Sequence, residues 1–223
     1  MFNAKENLVG LSASYLKLRS NAQNASNQTL LIHGSNGSYI GEENYGHIQA
    51  PTAEYAITGK GSLSAVLGKV YNAPYALSHI HVSTGAGQEP TVTADAVQVE
   101  AGATQSVCTY NTTPVAISPA RHALTFGAFT YTESAALTLQ TSEYDAAVNL
   151  APATINGDPV ASDSVEGVET VDITMWSSTE LSSPEISVAT GWKQNTDWTC
   201  TGADSSMYSW TTTLTKYLTA VEA

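Results

Sequence analysis

Basic residues are scarce in this 223-residue chain: eight Lys and Arg stand against twenty Asp and Glu, a formal charge of -12 with a pI near 4.6. A surface of that sign repels phosphate backbones and anionic headgroups, so neither direct nucleic-acid binding nor a membrane partner is expected. Charge of either sign is sparse, at 13% of residues against 42% hydrophobic, whereas chains that stay unfolded combine low hydrophobicity with dense charge. No apolar run approaches the ~20 residues that cross a bilayer. The start, Met1 to Asn7, has no basic region leading into a long apolar core, so no signal peptide is expected. Cysteine is limited to Cys108 and Cys200, too few for a disulfide scaffold or a Cys-rich zinc site. A Gly-x-Ser-x-Gly elbow, a phosphate-cradling Gly loop with Lys and an Asp-x-Asp-x-Asp-Gly calcium loop are all missing. These absences leave no positive ground for an enzyme, and the expectation is no catalytic residue and no cofactor.

What is present reads as β structure. From Leu30 onward, short runs alternate apolar residues with Thr or Ser and are broken every 8 to 15 residues by Gly, Pro or Asn. Strands are predicted over 29–33, 53–58, 63–70, 75–83, 91–99, 107–117, 122–131, 135–139, 144–150, 169–176, 185–189 and 208–218. Turns are expected at Asn36-Gly37, Gly59-Lys60-Gly61, Gly85-Ala86-Gly87 and Asn156-Gly157. Leu8, Leu11, Tyr15 and Leu18 recur at helical spacing over 5–19, although Tyr15 to Arg19 alternates equally well as a strand. The small polar run 20–28 reads as a linker.

Three short matches recur in order at nearly constant offset. Ala53-Glu54-Tyr55-Ala56 pairs with Ser142-Glu143-Tyr144-Asp145, Val82-Ser83-Thr84 and its sequel with Ser177-Ser178-Thr179 and its sequel, and Val107-Cys108-Thr109 with Thr199-Cys200-Thr201. They suggest two copies of a β-unit of ~90 residues. The expected architecture is therefore all-β, two tandem antiparallel β-sandwich domains at 29–120 and 121–223 behind an N-terminal arm and linker at 1–28. Acidity is lopsided: residues 1–100 carry net -2 and residues 101–223 net -10.

Four groups of residues invite a functional reading. His79 and His81 flank Ile80 on a predicted strand, so both imidazoles share a face and could grip one metal. The pair resembles the first half of a cupin metal motif, but the Glu and partner-strand His that would complete it are missing at the expected spacing. Two histidines on a sheet face, with Ile80 and Val82 packed inward, is the preferred reading, and no metal is expected. Asp158, Asp163, Glu166, Glu169 and Asp172 are hard oxygen ligands spread over fifteen residues, more in keeping with a solvated acidic surface than with Ca2+. Trp192, Trp198, Tyr208 and Trp210, with Trp176 and Tyr217, crowd the last fifty residues. They serve as core or subunit interface, or as stacking platforms for sugars. Cys108 and Cys200 are expected as free thiols, each filling a small core site.

Short alternating strands after Gly turns, as in Gly59-Lys60-Gly61-Ser62-Leu63-Ser64 and Gly167-Val168-Glu169-Thr170-Val171-Asp172-Ile173-Thr174, make the chain resemble phage virion structural proteins of β-sandwich type, tail-tube and related tail subunits in particular. The resemblance implies a self-assembling subunit whose partners are copies of itself and other virion proteins, placed in the virion after cytoplasmic synthesis in the host. It carries over no site residue. Two other classes stay open: a carbohydrate-binding or adhesive module using the C-terminal aromatics, and a metal-dependent β-fold enzyme at His79 and His81.

Overall fold

A computed structural model describes residues 6–33, 35, 37–99, 108–119, 122–134, 136–155, 158–179, 183–202 and 207–221, with the backbone alone over 25–32, 42–48, 151–155 and 158–165. The described residues form strands and no helix. In chain order the strands are β1 (Leu16–His33), β2 (Tyr39–Ile57), β3 (Gly61–Leu63), β4 (Val66–Leu67), β5 (Val70–Asn72), β6 (Tyr75–Gly85), β7 (Thr91–Gln98), β8 (Thr109–Asn111) and β9 (Val115–Ile117). They continue as β10 (Phe129–Tyr131), β11 (Leu137–Ile155), β12 (Asp158–Ser177), β13 (Ile186–Val188), β14 (Lys193–Gln194), β15 (Thr199–Thr201), β16 (Tyr208–Leu218) and β17 (Ala220–Val221).

Ten strands make one sheet in the order β1-β2-β7-β6-β11-β12-β16-β14, with β15 also on β16 and β5 on β6. Along its central strands side chains alternate between a buried and a partly exposed face, as antiparallel strands with one covered side must. Tyr55, Val92, Ala94, Ile80, Val82, Tyr144, Ala146, Val171, Ile173, Met175 and Leu214 point inward. The short pairings β3–β9, β4–β8–β17 and β10–β13 contribute Leu63, Leu67, Tyr110, Val115, Ile117 and Phe129 to that same hydrophobic core. Each large apolar side chain buried this way stabilises the fold by ~1.5–3 kcal/mol. Gly167 lets the layers approach, because a Cβ there would lie 2.9 Å from the Tyr110 ring.

Two hairpins dominate the sheet. β1 and β2 stay paired from Leu16 opposite Ile57 out to His33 opposite Tyr39, and β11 and β12 from Leu137 opposite Ser177 out to Ile155 opposite Asp158, each pairing shifting register at three bulges or irregularities. Their neighbours cover only the roots. β7 pairs with β2 over Thr52–Ala56, β6 with β11 over Thr141–Ala147, and β16 with β12 over Gly167–Ser177. Beyond those limits, among the described residues, each hairpin continues as a two-stranded ribbon, and β2 touches β12 although three strands separate them in the sheet.

Several expectations are corrected here. Residues 6–15 are irregular rather than helical, because Asn7 organises a local turn: its Oδ1 accepts from the Gly10 amide and the Tyr55 hydroxyl, and its Nδ2 donates to the Leu11 carbonyl. Gly10 takes φ +83 with its Cα against Tyr71 and Asn72, a conformation and a space that admit no side chain. The segment 20–28, read as a linker, is the middle of β1, and its polarity is that of a ribbon strand rather than of a loop. The tandem two-sandwich division near residue 120 is not confirmed: β6 lies beside β11 and the described buried residues form one cluster, while residues 120 and 121 lie outside the described residues. The segments matched at ~90 residues occupy different places, Tyr55 on the second strand of its hairpin and Tyr144 on the first. What recurs is the long hairpin, about 120 residues apart (Leu16 to Leu137, Ile57 to Ser177). Cys108 and Cys200 are free but exposed, not core fillers. Gly37 and Gly87 adopt the left-handed turn conformation, while Asn36, Asn156 and Gly157 lie outside the described residues.

Candidate functional site

Strand alternation decides where the two histidines go. Ile80 and Val82 enter the core, so His79 and His81 stand on the outer face of β6, rings 6.4 Å apart and nearly parallel. In register, His79 faces Asp95 on β7, and His81 faces Asp145 on β11. His79 Nδ1 lies 2.7 Å from Asp95 Oδ2 and its Nε2 2.7 Å from Asp145 Oδ2; His81 Nδ1 is 3.3 Å from that same Asp145 oxygen. The hydrogen bonds to Asp145 and then Asp95 outweigh partial burial and push His79 up to about 9. Asp145, next to it, also raises His81. Burial tends to raise Asp145, but the bonds and charges of both histidines overcome it and hold the carboxyl at about 2. Asp95 is lowered by its bond to His79.

This geometry is a proton-bearing clamp across three strands. An imidazolium donating from both nitrogens has no lone pair left for a metal. Among the described residues no group of three or more His, Cys, Asp or Glu is disposed to hold one.

On the other side of the sheet lies a second polar cluster that the sequence reading missed. Glu169 is fully buried. Its Oε1 accepts from the Tyr144 hydroxyl and the Thr113 amide, both at 2.5 Å, and its Oε2 from the Thr113 hydroxyl at 2.7 Å. Lys216, directly opposite on β16, brings Nζ to 3.3 Å and also donates to Thr113 Oγ1 at 2.8 Å. Burial, followed by the Glu169 charge, pushes the Tyr144 phenol far above its usual range. Glu169 therefore leaves the acidic surface predicted for it and ties the loop after β8 to the sheet. Glu166 and Asp172 are exposed, and the side chains of Asp158 and Asp163 lie outside the described residues.

The C-terminal aromatics divide. Trp192 and Trp210 are buried, the first under the Lys216 ammonium 5.9 Å away and the second donating from Nε1 to Ser177 Oγ at 3.0 Å. Tyr208 and Trp198 are half-buried against the core. Trp176 and Tyr217 are exposed. Of the four aromatics singled out in the sequence, Trp198 lines an open cleft, a space of about 800 Å3 between the β10–β13 pair and the turn joining β14 to β15. Tyr131, which the sequence reading passed over, lines the same cleft with Glu185, Gln194 and Asp197.

No protein-family model matches the chain, and no curated protein matches it. Among the described residues no helix is long and apolar enough to cross a membrane.

Proposed function

We propose that this chain is a self-assembling structural subunit of a phage virion, a tail-tube or related tail component of the kind its sequence resembles. The observation that carries the reading is the pair of ribbons. Past Thr52 on β2, past Ala147 on β11 and before Gly167 on β12, the described pairings give the hairpins no third strand. Two-stranded ribbons are marginal alone in water, and their open edges are templates for strands of another chain. Tyr39 and Ile40, beside the tip of the first ribbon, are 59% and 67% exposed, apolar surface that a neighbour would cover. Two ribbons per subunit offer contacts to two neighbours, the arrangement that closes into rings or stacks into a tube.

The partners are then copies of the chain and other virion proteins, with no catalytic step and no cofactor. The recurring hairpin also supports an internal duplication, though with the hairpin as its unit. An acidic surface turned toward a lumen would let DNA pass without sticking. Light scattering across protein concentration, with negative-stain imaging of the same samples, tests the reading. Rings, tubes or one defined high-order oligomer are expected, and they should disappear when the first ribbon is shortened by replacing residues 25–48 with a tight turn. A monodisperse monomer at every concentration would overturn it.

A further inference from the structure

We infer that the cleft between the β10–β13 pair and the β14–β15 turn is a binding site for a neutral saccharide, independent of whether the chain assembles. Its floor and one wall come from paired strands, Thr130 opposite Ser187 and Tyr131 opposite Ile186, so it is held by backbone hydrogen bonds and not by a loop alone. Trp198 and Tyr131 are each half-buried against the core and both line the cleft, so both aromatic side chains are anchored beside it. Rings anchored in that way are platforms for the C–H faces of a pyranose.

The polar lining selects the ligand class. Glu185 and Asp197 are exposed, and neither is engaged by another side chain among the described residues, so both offer acceptors to vicinal hydroxyls. Among the described residues the lining contains no Lys, Arg or His, which disfavours phosphates, sialic acids and uronates. Hydroxyls of Thr130, Thr132 and Ser187 replace the continuous apolar wall that a lipid or drug-like ligand needs. At about 800 Å3 the space suits a short oligosaccharide, within the ~300–1,000 Å3 of ordinary ligand pockets. A cationic peptide could also seek two carboxylates, but it would make no use of the hydroxyl wall, and its attraction would fade with salt.

The test is binding of the full chain to an array carrying neutral gluco-, galacto-, manno-, xylo- and chito-oligosaccharides, sialylated and uronate glycans, and polylysine, at low and high salt. Retention of at least one neutral glycan, unchanged by salt, is expected. Trp198→Ala and Asp197→Ala should each weaken it by about tenfold or more, the scale of a lost ring platform or charge-assisted acceptor. Trp198 touches the core and its variant can fail for want of folding. Asp197 is exposed, so Asp197→Ala should lose the glycan while unfolding at the wild-type temperature. Silence on every neutral glycan, retention indifferent to Asp197→Ala, or capture of polylysine alone that vanishes in high salt would each overturn the assignment.

Discussion

Asp145 and Glu169 are carboxylates on neighbouring strands, one register step apart, since Asp145 faces Thr170 and Ala146 faces Glu169. That single step puts them on opposite faces of the sheet, and their surroundings differ accordingly. Glu169, shut away from water, has two donors on Oε1, the Thr113 hydroxyl on Oε2 and the Lys216 ammonium as its ion-pair partner. Asp145 keeps about a third of its side chain exposed and takes both histidine bonds on one oxygen. A carboxylate without water must be saturated by the protein, whereas one at the surface can leave part of its capacity to solvent. The two also join different things. Glu169 fastens one layer to another through Thr113, while Asp145 and His79 clip together strands within one layer.

The contrast is broken hardest on the buried side. Glu169→Ala leaves Lys216 without its counter-charge and the Tyr144 hydroxyl and Thr113 amide without their acceptor, a loss of about 3–5 kcal/mol. Glu169→Gln keeps the shape and one acceptor oxygen and should cost less, about 1–3 kcal/mol. Denaturant unfolding of the two variants checks the order. Adding Lys216→Met to Glu169→Ala should recover part of the loss, because the stranded charge is then gone. A Glu169→Ala variant as stable as the wild type would mean that the buried network holds nothing together.

On the outer face the expected signature is pH dependence. His79 is raised from 6.5 to about 9, so its contribution is complete below 6.5 and is lost as pH climbs through about 9. Asp145 is lowered from 3.8 to about 2, so its contribution is present above 3.8 and is lost as pH falls through about 2. The clamp is at full strength between those limits, from roughly pH 4 to 6.5. His79→Gln should remove the part of the fall in Tm between pH 6.5 and 9 that belongs to this residue. At pH 6 it should lower stability by about 1 kcal/mol after allowance for screening by water, or about 2–4 °C in Tm. Parallel Tm-against-pH curves for wild type and His79→Gln would remove the clamp from the account.

Much of this was legible in the residues, and the rest was hidden for physical reasons. The all-β class, and strands such as 208–218 and 75–83, follow from period-two alternation, a local property. The same alternation holds a signal for the buried pair. Glu169 is in phase with Val171, Ile173 and Met175, and Lys216 with Trp210, Thr212 and Leu214, so each charge sits on the core side of its strand. Reading Glu169 with the acids nearest in sequence obscured that phase. Alternation likewise places His79, Asp95 and Asp145 on outer faces, but their meeting depends on β6 lying between β7 and β11. The β6–β11 pairing joins residues 56 (Gly85 and Thr141) to 68 (His79 and Ala147) apart in sequence, and no local pattern specifies it. The linker over 20–28 and the helical alternative over 5–19 failed for a related reason, while the strand alternative for Tyr15 to Arg19 is met by β1 from Leu16. A polar ribbon strand has no core-facing stripe to betray it, and Asn7 with Gly10 makes a turn that helical leucine spacing cannot reveal.

The smallest effect is expected from Asp172, and it sharpens the comparison most cleanly. Asp172 stands three residues from Glu169 on the same strand but on the exposed face, where its Oδ1 accepts from the Thr213 hydroxyl at 2.5 Å. Asp172→Asn removes one charge, as Glu169→Gln does, and retains an amide oxygen for Thr213. Water can take over whatever the amide does not supply, so the change in unfolding free energy should stay within about 0.5 kcal/mol. Urea titrations of the two amide variants under one set of conditions make the measurement. Equal losses would show that charge on this strand matters irrespective of face. A small loss at 172 beside a large one at 169 would assign the cost to exclusion of water, which residue parity along β12 decides.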